Sequence, residues 1–256
     1  TADATFNASK NNNANDIRTD TFNLPSYTIR NTAKQQQITN GDNKNITIQT
    51  DYSTPLTDKS KLELGARANF REVNSINNFF FVNPVTGQTT YIAPLSVEYN
   101  SNDQVYAAYA NYSNKIKDFG YQLGLRAESS NYEGVLPDKN QTFKIDFPIS
   151  LFPSIFLSQK MKKNQDLQLN YSRRINRPNF FQLFPFTDYS DVLNLNRGNP
   201  DLKPEFTNSF ELSYQKMFEK NSNNILASLY FKNTNDLITR YQVTELNTNG
   251  GPSDSL

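Results

Sequence analysis

A recurring two-residue period constrains this chain more than any other feature. From Lys61 to Arg71, the apolar residues Leu62, Leu64, Ala66, Ala68 and Phe70 alternate with Glu63, Arg67, Asn69 and Arg71. A β-strand sends successive side chains to opposite faces, so this run predicts a strand with one apolar and one charged face. Ile46, Ile48 and Tyr52 alternate in the same way with Thr47, Gln49 and Asp51. Phe119, Tyr121, Leu123, Leu125 and Ala127 alternate with Gln122, Arg126 and Glu128. Leu167, Leu169 and Tyr171, then Phe210, Leu212 and Tyr214, then Ile225, Ala227, Leu229 and Phe231 extend the pattern. About nine such strands are expected, the first near Thr1–Ser9.

Alternation alone fits a soluble antiparallel sheet with one wet face as well as a wall between two solvents. Connection lengths separate the two. Short polar turns are expected at Leu56–Ser60, Asn114–Asp118, Met161–Gln165 and Phe218–Asn223. Long excursions are expected at Lys10–Asp42, Glu72–Asn102, Ser129–Phe147 and Asn176–Phe206, with the NNNAN run at Asn11–Asn15 and QQQ at Gln35–Gln37 as flexible loop. Short turns at one end and long loops at the other are the habit of outer-membrane barrels, whose strands are apolar outward and polar inward. The expected fold is therefore all-β: an antiparallel transmembrane β-barrel segment with short periplasmic turns and long extracellular loops. Glu63, Arg67, Arg71, Arg126, Glu128 and Glu211 would line the lumen, most simply as mutually paired charges. Lipid tolerates no open sheet edge, and large transporter barrels use about 22 strands, so residues 1–256 are expected to be one part of a larger barrel domain.

Composition narrows the chemistry. Only 36% of residues are hydrophobic, yet 14 Tyr and 19 Phe are present, which suits a two-faced wall better than disordered chain. With 26 basic and 25 acidic residues the net charge is +1, so no global field recruits nucleic acid. The chain has no Cys and no His. Thiol chemistry, His-ligated metal and the commonest general base are thereby removed, and neither an enzyme nor a cofactor or metal site is expected. The start, TADATFNASK, lacks a basic and apolar leader, and the chain reads as a mature or excised piece.

Between the strands at Leu167 and Tyr214 lies a long connection punctuated by Pro178, Pro185, Pro200 and Pro204. Proline fixes φ and removes a backbone donor, so this stretch is neither helix nor sheet interior. Its aromatics Phe180, Phe181, Phe184, Phe186 and Tyr189, with Arg174 and Arg177 alongside, form the candidate ligand site, since ligand pockets combine apolar walls with a few placed polar groups. The same aromatics could instead pin the loop or join an aromatic belt at the membrane surface. A second aromatic run, Asn78–Val82, is expected in another outward loop. Strict alternation from Tyr171 turns Arg173 outward and Arg174 toward the lumen, and a bulge would exchange them.

The segments YSRRINRP (171–178), FTDYSD (186–191) and RGNPDLKPEFTNSFELSY (197–214) closely resemble the β-barrel of TonB-dependent outer-membrane receptors, in the form typical of the Bacteroidetes. The likeness continues through DYSTPL (51–56), YAAYANYS (106–113), LGLRAE (123–128) and LFPSIFLS (151–158), covering most of the chain. The resemblance implies a cell outer membrane location, contact with its lipid, and energy-coupled uptake of a bulky nutrient such as a siderophore, oligosaccharide or peptide. It also implies a plug domain and TonB as partners through the full-length parent, the plug itself being absent from these residues. A barrel presenting surface loops for adhesion, or assembled with a surface lipoprotein, is the alternative. A hydrolase barrel is disfavoured by the missing His.

Overall fold

The computed structural model describes residues 1–184, 187–188, 195–218 and 223–243, without the side chains of residues 180, 181, 187 and 188. Five strands come first: β1 (Ala2–Asn23), β2 (Thr28–Thr57), β3 (Ser60–Val82), β4 (Thr89–Tyr91) and β5 (Val97–Ile116). Then follow β6 (Phe119–Leu136), β7 (Gln141–Met161), β8 (Gln165–Asn176), the one-turn helix α1 (Phe180–Leu183), β9 (Thr187–Asp188) and β10 (Asn196–Arg197). The last two strands are β11 (Glu205–Met217) and β12 (Asn224–Asn235). A ten-stranded sheet runs β1-β2-β3-β5-β6-β7-β8-β11-β12, with β4 beside β3, and β9 pairs with β10 separately. All of these pairings are antiparallel. The nine long strands match the sequence expectation, and the sheet is open, as a part of a barrel must be.

Register gathers the apolar residues onto a single face. One rung carries Thr54, Leu62, Tyr112, Leu123, Ile155, Tyr171, Phe210 and Phe231 side by side across eight strands. The rung toward the long connections carries Tyr52, Leu64, Ala110, Leu125 and Pro153. Much of this face has no protein cover: Leu125 is 49% exposed and, on the rung toward the short turns, Leu229 71%. A sheet that leaves such a surface bare in water would aggregate, whereas in lipid the same surface is matched. On β3 the apolar run from Leu62 to Phe70 is about nine residues, the length a tilted strand needs to cross the hydrocarbon layer.

Three of the four short turns lie where the sequence places them, and residues 219–222 of the fourth lie outside the described residues. β2 and β3 are joined by Asp58 and Lys59, β5 and β6 by Lys117 and Asp118, and β7 and β8 by Lys162–Asn164. Lys117, Lys163 and Asn164 take positive φ, as tight hairpin connections demand.

The opposite end departs from expectation. Three of the four long excursions are mostly strand, because β1 and β2 continue to Asn23 and Thr28, β3 to Val82, and β6 and β7 to Leu136 and Gln141. The NNNAN run pairs residue for residue with Gly41–Gln37, and the Asn78–Val82 aromatics end β3 with Phe80 against Tyr91 of β4. Above the lipid both faces are wet, so the apolar alternation that marks a strand disappears while the backbone ladder continues. From Thr28 to Asn45, β2 projects on the order of 60 Å beyond the apolar band. Among the described residues, the connection from Asn176 to Phe206 is the long excursion that holds least strand.

That last connection follows a break in the sheet. Pairing of β7 with β8 stops at Ser154 and Ser172, although β7 continues to Gln141. Pro153 and Pro148 have no N–H to offer a neighbour there, which accounts for the end of the ladder. Nearby, the β6–β7 register shifts between Glu128 and Ser130, a bulge that bends the upper half of this ribbon.

Candidate functional site

The polar face of the sheet carries the charges that alternation assigned to it. Arg67 and Glu128 share a rung on either side of Ala107, and Arg126 pairs in register with Tyr109. Lys61 bonds Glu63 at 2.5 Å, and Glu211 accepts from the Ser213 hydroxyl at 3.0 Å. Arg174 lies on this face opposite Thr207.

The loop after β8 folds back onto this face. Arg177 donates to Glu128 at 2.7 Å, and Arg126 holds the other carboxylate oxygen at 2.6 Å. Glu128 and Arg177 are nearly buried, with side chains 12% and 15% exposed. Pro178 is fully buried beyond them. Asn179 then closes a capping box on α1: its side chain accepts from the Gln182 N–H at 3.0 Å and its own N–H donates to Gln182 at 2.8 Å. This fixes the turn by which the chain enters the helix. Leu183 and Phe184 are 1% and 5% exposed, and Phe184 joins Tyr99 and Leu136 in a small core supported by Phe143, Val73 and Val97. The rings of Phe143 and Phe184 stand 6.0 Å apart. Residues 198 and 199 return to donate to the carbonyls of Phe184 and Gln182.

Of the candidate ligand residues, Phe184 and Arg177 therefore sit in the anchor between loop and sheet. Phe180 and Phe181 begin α1, and Phe186 and Tyr189 lie outside the described residues. The helix stands at the end of the sheet opposite the short turns. Arg173 has the parity of Tyr171 and Phe210, as alternation predicts. Its guanidinium lies 4.7 Å from the centroid of the Phe206 ring, which itself stacks on Phe152 of β7 at 6.4 Å. Because β8 has left β7 at this height, that stack occupies the parting between the strands.

Sequence reasoning overlooked a second contact on the polar face. The Tyr109 hydroxyl donates to Asp51 across β3, directly over Gly65. A Cβ at Gly65 would collide with the Tyr109 ring, so the glycine makes the crossing possible. Glycine interrupting a strand pattern was the available signal. Outside the apolar band, Glu205 accepts from Asn176 Nδ2 at 2.7 Å and from the Ile238 N–H at 2.6 Å, and both bonds hold its carboxyl below the usual glutamate range. No cluster of His, Cys, Asp or Glu suited to a metal ion occurs among the described residues.

The architecture is similar to solved outer-membrane structures. The ferric citrate transporter FecA superposes with a TM-score of 0.59 at 12% identity, over 90% of this chain and 32% of its own. The ferripyoverdine receptor of the outer membrane of Pseudomonas aeruginosa gives 0.57 at 10% identity, over 91% and 30%. The copper transporter OprC gives 0.55 at 15% identity, over 89% and 35%. The chain thus spans about a third of the length of these proteins, and at such identities the likeness is one of fold. No curated protein matches it by sequence. The model of the outer membrane protein beta-barrel family matches residues 1–250. With a bare apolar belt, a polar face bearing ion pairs and that match over nearly its whole length, the chain is a member of the outer membrane protein β-barrel family and resides in the outer membrane.

Proposed function

We propose that this chain is the barrel portion of a TonB-dependent receptor that takes up a bulky nutrient. The observation that carries the reading is the loop after β8, which turns inward and is anchored to the polar face through Arg177 and Phe184. A surface-display barrel has no need to lay a loop across its own lumen, whereas a receptor must narrow the mouth above its plug. Ligand would meet this loop and its approaches: Arg174, Phe180, Phe181, Phe186 and Tyr189, with Phe184 and Arg177 setting its position. The similarity to FecA, OprC and the ferripyoverdine receptor supports the same reading. The plug and the TonB contact belong to the full-length parent. In that parent, energy-dependent accumulation of a nutrient should be lost on deleting residues 177–204 while the barrel still reaches the outer membrane. Undiminished accumulation by the deleted receptor would refute the role of the loop.

One feature favours a second reading, in which the barrel engages a partner lipoprotein at the cell surface. The β1–β2 hairpin ends in Phe22, Leu24, Tyr27 and Ile29, each at least 48% exposed. Trimming residues 18–32 should abolish co-purification of such a partner and leave nutrient binding unchanged.

A further inference from the structure

The two faces of the ribbon above the membrane differ sharply in charge. On the face continuous with the lipid side, the rungs above Phe70 carry Lys44 beside Glu72, Lys10 beside Asp42, and Glu133 beside Lys144. On the face continuous with the lumen, the same rungs of β1, β2 and β3 carry almost none. Asn11 pairs with Gly41 and Ser75, Asn13 with Thr39 and Asn77, and Ser9 with Asn43. Among the described residues, Arg71 is the one ionic side chain on this face of β1–β3 between the Asn69 and Gln37 rungs, and its register partner on β5 is Asp103. On β1 and β2 both faces reach water, so solvation alone asks for no such sorting there, while on β3 Ser75 is buried and Val73 packs against the Phe184 core.

The wall is also preset by its own side-chain bonds. Asn69 donates to Asn45 at 3.0 Å and to Thr47 at 2.8 Å, Thr39 donates to Asn77 at 2.8 Å, and Asn77 donates to Ser75 at 3.3 Å. Carboxamides and hydroxyls offer donors and acceptors together and carry no charge. An anionic chelate brought here would lose water and meet Arg71 alone among the described residues of the wall, a cation already opposite Asp103. A polyhydroxylated ligand finds both halves of each of its hydrogen bonds. At the top of the wall Phe81 has the same parity and is 40% exposed, a ring against which the C–H face of a sugar can rest.

We infer that the carboxamide wall of β1–β3 is a binding surface for an uncharged oligosaccharide. This rests on the receptor reading and names its substrate class. The test uses the full-length receptor in detergent. Its probes are neutral glucan and mannan oligosaccharides, oligogalacturonate, ferric citrate and a peptide with blocked termini. Saturable binding of a neutral oligosaccharide is expected. Asn11→Asp and Asn13→Asp, on β1, should weaken it tenfold or more, and Asn12→Asp, on the opposite face of that strand, should leave it unchanged. Preference for oligogalacturonate, ferric citrate or the peptide overturns the inference and leaves uptake standing, as does neutral-glycan binding indifferent to Asn11→Asp and Asn13→Asp. No binding of any probe also overturns it. If, in addition, a strain lacking the receptor accumulates every probe as the parent strain does, the receptor reading falls as well.

Discussion

Arg177 and Glu128 meet at 2.7 Å although 49 residues separate them, and each is almost closed off from solvent. The contact ties the start of the loop after β8 to the bulged strand β6. Removing one member leaves the other charged and poorly solvated, a situation costlier than losing the pair. Glu128→Ala is therefore expected to destabilise the loop anchor by about 1–3 kcal/mol, at the lower end because the lumen is wet. Limited proteolysis within 177–204 should become faster, and the exchange Glu128→Arg with Arg177→Glu should restore part of the protection. Equal cleavage rates in all three proteins would show that the pair does not anchor the loop.

The apolar belt makes a prediction of different magnitude for its two faces. Leu125 points into lipid, and Leu125→Arg should cost about 2–4 kcal/mol if the residue lies near the bilayer midplane. Gln122→Arg, on the polar face of the same strand, should cost much less. Urea unfolding in lipid vesicles, read as the loss of the heat-sensitive compact band on gels, measures both. Similar costs at the two positions would contradict the assignment of the faces.

Gly65 and Tyr109 form a coupled pair. Gly65→Ala forces the ring away and with it the bond to Asp51, so a loss of about 1–3 kcal/mol is expected from overpacking. In the background Tyr109→Ala the same substitution should be nearly neutral, giving a coupling energy close to the full cost. Additive effects in that cycle would show that the crossing contributes nothing.

Glu205 supplies a pH dependence. Its two bonds depress the folded-state pKa below that of the unfolded chain, where glutamate titrates near about 4.3. Its contribution is thus fully present above the unfolded value and lost as pH falls through the folded one. The protection factor of the Ile238 amide, corrected for intrinsic exchange, should fall on acidification below about pH 4. In Glu205→Gln it should be lower at neutral pH and nearly flat. A flat profile in the unsubstituted protein would rule out this linkage.

What the sequence made legible follows from which solvent does the selecting. Where lipid faces the sheet, only apolar residues survive outward, and Leu62–Phe70 or Phe119–Ala127 announce strands by period alone. Asn11–Asn15 and Gln35–Gln37 face water on both sides, so nothing in their residue types distinguishes a paired ribbon from free coil. The lumen set was legible for the same reason as the belt, since Arg126 and Glu128 are simply the alternate positions. The inward turn of the loop was not. It depends on a proline-terminated ladder at Pro153, a bulge at Ser129 and a partner 49 residues away, none of which leaves a local pattern.

The order of the strands also bears on how the chain is assembled. Apart from the small β4 and the β9–β10 pair, each long strand lies against the one that precedes it in sequence. Loop closure is therefore cheap at the short turns, and each new hairpin meets an edge already waiting for it. Such a sheet can be laid down like a zip, one tooth pair at a time, with the inward loop tucked into place only after β5, β6 and β7 have given Phe184 somewhere to rest.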